Sequence, residues 1–197
     1  MKLLVFSDVH TDLSAAEGLV ELSSSSDIVL GAGDFSAMHQ NLQATVDVLS
    51  KIKKPLILVP GNNETTEELN DASRCFPNIK VLHGNGINLK GFNFWGLGAG
   101  VPKTPWEWSF DLDESEASKM LEGCKMNSIL IVHSPPKGHV DGVDGNHFGS
   151  KAVLDCIEEK KPLWVFCGHI HECWEKESFL DETRILNCGP KGRIIEI

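Results

Sequence analysis

Five apolar runs punctuate the chain: LLVF from Leu3, DIVL from Asp27, LILV from Leu56, ILIV from Ile129 and LWVF from Leu163. None alternates with polar residues as a strand with one wet face would, so each is predicted to be a strand buried on both faces. Between them apolar positions recur at helical spacing, with Leu42, Val46 and Leu49 in one segment, Leu69, Ala72 and Phe76 in another, and Val153, Leu154 and Ile157 in a third. The first three runs therefore alternate with helices, which is the grammar of parallel β-α-β units joined by right-handed crossovers. The segment from Ile87 to Gly96 is predicted to be a hairpin turning at Lys90-Gly91, and the segment from Thr183 to Ile197 holds two more strand-like runs. These pieces are expected to build a second, partly antiparallel sheet against the first. No internal repeat or linker interrupts the pattern, so one α/β domain over residues 1–197 is expected.

The segment 96–110 departs from this grammar. Its GLGAG superficially matches a dinucleotide loop, but Pro102 and Pro105 forbid the helix that such a loop must open. Trp95, Trp106, Trp108 and Phe110 make the region rich in aromatic rings. The expectation is a loop whose rings cover the edge of the core, with a lid or partner surface as the alternative.

Polar residues follow the apolar runs in a regular way. The run from Leu3 leads into Asp8 and His10, that from Asp27 to Asp34, that from Leu56 to Asn62, that from Ile129 to His133, and that from Leu163 to His169 and His171. The carboxyl ends of parallel strands form the crevice in which α/β proteins bind ligands, so seven potential metal ligands converge on one edge. Any one of them alone is explained as a turn or capping residue. Five strands presenting such groups in register point to metal. One tetrahedral zinc takes four ligands and leaves three unexplained, whereas two ions sharing a carboxylate use all seven. The mixture of imidazole, carboxylate and amide suits Mn, Fe, Zn or Ni and does not choose among them.

Composition narrows the partners. Hydrophobic residues make up 41% and charged residues 23%, ordinary globular usage that speaks against disorder. The 28 acidic side chains outnumber the 18 basic ones, and the net charge of -10 speaks against a long nucleic acid as partner. The first apolar run is cut at Asp8, short of the roughly 7–15 residues of an export signal, and no membrane span is expected. The six cysteines then read as reduced thiols of a cytoplasmic protein. Two of them, Cys167 and Cys173, bracket the histidines in CGHIHEC, which leaves open a thiol-containing zinc site as a rival reading.

Taken in order, Asp8-x-His10, Gly33-Asp34, Gly61-Asn62, His133 and Gly168-His169-x-His171 resemble the calcineurin-like metallophosphoesterases, in particular their small phosphodiesterase-like members. The resemblance implies a four-layer α/β/β/α sandwich of two mixed sheets flanked by helices. It implies one metal held by Asp8, His10, Asp34 and His171 and another by Asp34, Asn62, His133 and His169, with Asp34 bridging. It further implies in-line attack on phosphorus by a hydroxide shared between two divalent ions, in a hydrolase of small phosphate esters. A nucleotide stays within that substrate class. On this reading the cysteines stand outside the site.

One block departs from the family. Many relatives continue Gly-Asn with a histidine thought to protonate the leaving group, but here the sequence reads Gly61-Asn62-Asn63-Glu64. Asn63 donates hydrogen bonds and delivers no proton near neutral pH. That implies substrates with good leaving groups or another acid, for which His147 and His139 in the loop after His133 are the candidates. The competing expectation is a metal-binding interaction scaffold that has kept the fold and lost the chemistry.

Overall fold

The computed structural model describes residues 1–197. Each of the five apolar runs is a strand: β1 (Lys2–Phe6), β2 (Ile28–Ala32), β3 (Leu56–Val59), β7 (Ile129–Val132) and β10 (Trp164–Cys167). The predicted hairpin is β5 (Asn85–Leu89) and β6 (Phe92–Leu97), turning at Lys90 and Gly91, both with positive φ. Near the end of the chain come β11 (Glu177–Leu180), β12 (Thr183–Asn187) and β13 (Arg193–Glu196). A short β4 (Ile79–Val81) and a two-stranded ribbon of β8 (Gly142–Val143) and β9 (Asn146–His147) complete the strands.

These strands form two mixed sheets. The first runs β13-β1-β2-β3-β4, parallel except for β13, which pairs antiparallel with β1. The second runs β11-β12-β10-β7-β6-β5, with a parallel centre and an antiparallel strand at each edge. The two expected terminal strands thus part company, β12 entering the second sheet and β13 the first. Five helices flank the sheets: α1 (Leu13–Ser23), α2 (Leu42–Leu49), α3 (Thr66–Ser73), α4 (Glu114–Leu121) and α5 (Lys151–Lys160).

Side chains alternating along each strand divide between two apolar layers, which is why the runs themselves do not alternate. In β1, Leu3 and Val5 face the second sheet and pack with Phe94, Ile131 and Phe166. Leu4 and Phe6 face the other way and pack with Leu19, Val46, Leu49 and Leu69 of the first three helices. In the second sheet Leu130, Val132 and Val165 turn outward onto Leu121, Val153 and Ile157 of α4 and α5. Helix, sheet, sheet and helix are thus stacked in four layers.

Two helices, α1 and α4, lie outside the spacings named above. Their buried apolar residues are few, Ala16 and Leu19 in one and Ala117 and Leu121 in the other, with Val20, Leu22 and Met120 packed at the margin. Phe76 lies past the end of α3 and still packs on its core. No helix is long and apolar enough to cross a membrane.

Candidate metal centre

The polar residues that follow β1, β2, β3, β7 and β10 meet where the carboxyl ends of both sheets adjoin. Two groups form, Asp8 with His10 and His171, and Asp34 with His133 and His169; within each, the ligand atoms lie within 4.8 Å of one another. Four of these side chains are delivered by a backbone in the left-handed region: Asp8 at φ 55°, His10 at 44°, Asp34 at 61° and His169 at 69°. Non-glycine residues there are strained, and strain clustered at one spot marks a geometry that surrounding contacts enforce.

Those contacts can be named. Buried Asp8 accepts the Ser7 hydroxyl and the Trp174 indole N–H on Oδ2, and the His169 N–H on Oδ1. The turn carrying His169 and His171 is held by Asn187, whose amide donates to the carbonyls of Gly168 and Ile170 at 3.0 and 3.1 Å. His10 and His171 bring their Nε2 atoms to 3.1 Å.

Asp34 connects the two groups. Its Oδ2 lies 3.5 Å from His10 Nε2 and its Oδ1 3.5 Å from His133 Nε2. The backbone N–H of Asn63 donates to Oδ1 at 2.9 Å and its side-chain amide to Oδ2 at 2.7 Å. Fully buried His133 gives its Nδ1–H to the Ala32 carbonyl at 2.8 Å, which aims Nε2 at the cluster. Asn62 Oδ1 then faces His133 Nε2 at 3.1 Å and His169 Nδ1 at 3.0 Å.

The donor set fits a cation. With its Nδ1–H committed to Ala32, His133 meets the Asn62 oxygen, itself an acceptor, through an Nε2 that needs a second proton or a cation to make the approach favourable. His10 and His171 likewise oppose two ring nitrogens. Converging lone pairs repel unless protons or cations lie among them. The protein charges respond to the same crowding. Burial alone raises Asp34, but His133 and then His10 hold its carboxyl far below the ordinary carboxylate range. Burial depresses His133, yet the Asp34 charge lifts it to about 9. Burial and then the neighbouring His133 push His169 down to about 3.

Glu64 was not singled out by the strand-end pattern, and it holds the frame of the site. Its fully buried carboxylate accepts the N–H groups of Asp34, Phe35, Ser36 and Gly61 and the Ser36 hydroxyl. Burial and then the Asp34 charge push this carboxyl upward, while the N–H groups of Gly61 and Ser36 pull it down. A clue stands in the sequence, since Thr65 and Glu68 form a capping box that starts α3 and strands Glu64 in the turn before it.

Two glycines permit the approach of the loops after β2 and β3. A Cβ on Gly61 would sit 2.0 Å from Asp34 Oδ1, and one on Gly33, at φ +92°, would sit 2.5 Å from His133 Nδ1. The cysteines around the histidine pair stay out of both groups. Cys167 is fully buried with its thiol toward the Leu186 carbonyl, and Cys173 directs its thiol to Gly142.

A cleft of about 660 Å³ opens over the ligands and is lined by His10, Asp34, Asn62, Asn63, His169 and His171 on one part of its surface. Asn63 is engaged at both ends, donating to Asp34 and accepting the Met38 N–H. His147 bonds Asp141 through Nδ1 at 2.6 Å and His139 bonds Ser178; neither lines the cleft, although Phe148 does. The aromatic segment departs from expectation. Trp95 packs onto the core from β6, but Trp106 is exposed and, with Trp108, lines the cleft. The Asn62 amide donates to Ser109 Oγ and the Phe110 N–H donates to the Asn62 carbonyl, which draws the loop toward the site and away from the core edge.

The chain belongs to the calcineurin-like phosphoesterase superfamily, whose domain profile matches residues 1–194. Among curated relatives, UPF0046 protein K07C11.7 of Caenorhabditis elegans is 22% identical over 87% of this chain, which spans 64% of that protein's length. The protein TT1561 of Thermus thermophilus has a similar structure, with TM-score 0.79 at 19% identity over 96% of this chain and 90% of that one. A dimetal phosphatase from Danio rerio superposes with TM-score 0.60 at 12% identity, covering 96% and 88%.

Proposed function

We propose that this chain is a phosphoesterase of small substrates that uses two divalent cations. Asp8, His10, Asp34 and His171 would hold one, and Asp34, Asn62, His133 and His169 the other. The observation that carries this reading is the division of Asp34, one oxygen toward His10 and the other toward His133 at the same 3.5 Å. Bound there, two divalent ions supply Lewis acidity toward a phosphoryl oxygen and lower the pKa of a water. The ions are Mn, Fe, Zn or Ni, all compatible with imidazole and carboxylate.

The chain's own groups set the geometry. Asn63 steadies the bridging carboxylate, and with both ends of its amide engaged it acts as a positioning residue and carries no proton. His147, oriented by Asp141, stays outside the cleft lining. Substrates whose leaving groups need no protonation, such as aryl esters, therefore suit this site. The similarity to a dimetal phosphatase supports the two-ion reading. Six unpaired thiols, five of them buried, suit a reducing compartment such as the cytoplasm.

Metal analysis paired with hydrolysis of bis-p-nitrophenyl phosphate tests the proposal. Two ions per chain and turnover in at least one of the four metals are expected. Two ions without hydrolysis in any metal would make the chain a binding scaffold, and one zinc lost on alkylating Cys167 and Cys173 would restore the thiol site.

A further inference from the structure

Seven large hydrophobic side chains are left exposed on this protein, and three of them, Met38, Trp106 and Phe148, line the cleft over the candidate ligands. Trp106 and Phe148 are each 51% exposed and Met38 is 53% exposed. Exposed apolar groups gathered at one concave site mark a binding surface, whereas scattered ones do not. The Trp106 ring stacks on Trp108 with centroids 5.7 Å apart and planes 11° from parallel.

The loop bearing these rings is tied to the candidate centre. The Phe110 N–H donates to the Asn62 carbonyl at 2.9 Å, and the Asn62 amide donates to Ser109 Oγ at 2.9 Å. His39 Nε2 bonds the Trp108 carbonyl at 2.6 Å. Asn62 therefore presents its oxygen to His133 and His169 while its other polar atoms pin the aromatic loop.

Charge around the cleft narrows the ligand further. Apart from the candidate ligands its charged lining residues are Lys103 and Glu172, and the Lys103 ammonium lies 3.9 Å from Glu116. Nothing there is built to neutralise a second or third phosphate.

We propose that Trp106, backed by Trp108 and flanked by Phe148 and Met38, is a stacking subsite for a planar ring carried by the substrate. The esters bound most tightly are then singly phosphorylated ones that carry an aryl or nucleobase ring, and ring-free alkyl esters or polyphosphorylated ones bind less tightly. This rests on the reading that the phosphate binds at the paired ligand groups.

The test is calorimetric titration of the metal-loaded chain with inorganic phosphate, ethyl phosphate, phenyl phosphate and a nucleoside 5′-monophosphate. Phenyl phosphate or the nucleotide is expected to bind about tenfold tighter than ethyl phosphate. Whichever of the two binds tighter identifies the ring as aryl or nucleobase. The advantage should vanish in Trp106→Ala and persist in Trp106→Phe. Equal affinity of all three esters, with inorganic phosphate still bound, overturns the subsite alone. Loss of inorganic phosphate binding together with the esters overturns the phosphate site and the subsite with it.

Discussion

The Glu64 carboxylate accepts the backbone N–H of Asp34 at 2.9 Å across 30 positions of sequence, and its same oxygen accepts the N–H of Gly61 at 2.7 Å. One side chain thus clamps the loop after β2 to the loop after β3, and with them Asp34 to Asn62. Glu64→Gln keeps the volume but turns an NH₂ toward groups that are themselves donors. A buried carboxylate replaced in this way leaves donors unsatisfied, which costs about 3 kcal/mol. Melting should fall by roughly 10 °C for a chain of this length. A calorimetric scan that leaves the midpoint unmoved would show that the clamp contributes nothing.

Asp34→Asn removes the charge that both candidate groups share. The amide oxygen can still face one histidine, but its NH₂ opposes the other and also the Asn63 amide. The expected result is fewer than two metal ions per chain and a fall in turnover of roughly a thousandfold. Metal content measured beside kcat checks it, and two ions with normal turnover would refute the bridge.

Asn63→His restores the imidazole found in many relatives, at the cost of the amide bond to Asp34 Oδ2. Hydrolysis of esters with poor leaving groups should rise relative to that of p-nitrophenyl esters, while the absolute p-nitrophenyl rate falls. A plot of log kcat against leaving-group pKa should flatten. An unchanged slope would show that no proton reaches the leaving oxygen from this position.

His39 bridges Glu68 through Nδ1 at 2.8 Å and the Trp108 carbonyl through Nε2, both acceptors, so the pair is complete only with the imidazolium. Burial opposes the charge, but the Glu68 bond and the Trp108 carbonyl outweigh it and raise the His39 pKa. Glu68 is lowered: burial raises it, and the His39 and Thr65 bonds overcome this. The raised histidine stabilises fully below its unfolded pKa of about 6.5, and that contribution is lost as pH rises through its folded value. The lowered glutamate stabilises above about 4.3 and loses its contribution as pH falls through its folded value. The melting difference between the native chain and His39→Gln should therefore peak at about pH 5–6. A difference that does not vary with pH would show that the ion pair is idle.

Much of the site is legible because its signals are local. A run such as LILV states its own burial, and an Asp, Asn or His placed just after it lands at the strand's carboxyl end. The order of Asp8, His10, Asp34, Asn62, His133, His169 and His171 is visible for that reason. Glu64 escapes the same logic, since an acidic residue before a capping box looks like any solvated turn residue until four N–H groups are seen to converge on it. Trp106 escapes it too, because nothing in PKTPWEWSF says which surface the rings will meet.

The alternation of buried strands with helices, the need for a second sheet and the inventory of ligand-type side chains follow from side-chain period and chain order alone. The partition of β12 and β13 between two sheets does not, nor do the left-handed turns at Asp8, His10, Asp34 and His169, nor the sharing of Asp34 between two histidines. These depend on contacts between residues far apart in sequence, such as the Trp174 indole on Asp8, 166 positions away. Periodicity carries no information about which distant loops will close on one another. That choice is made only when both sheets bury their shared face and bring their carboxyl edges together.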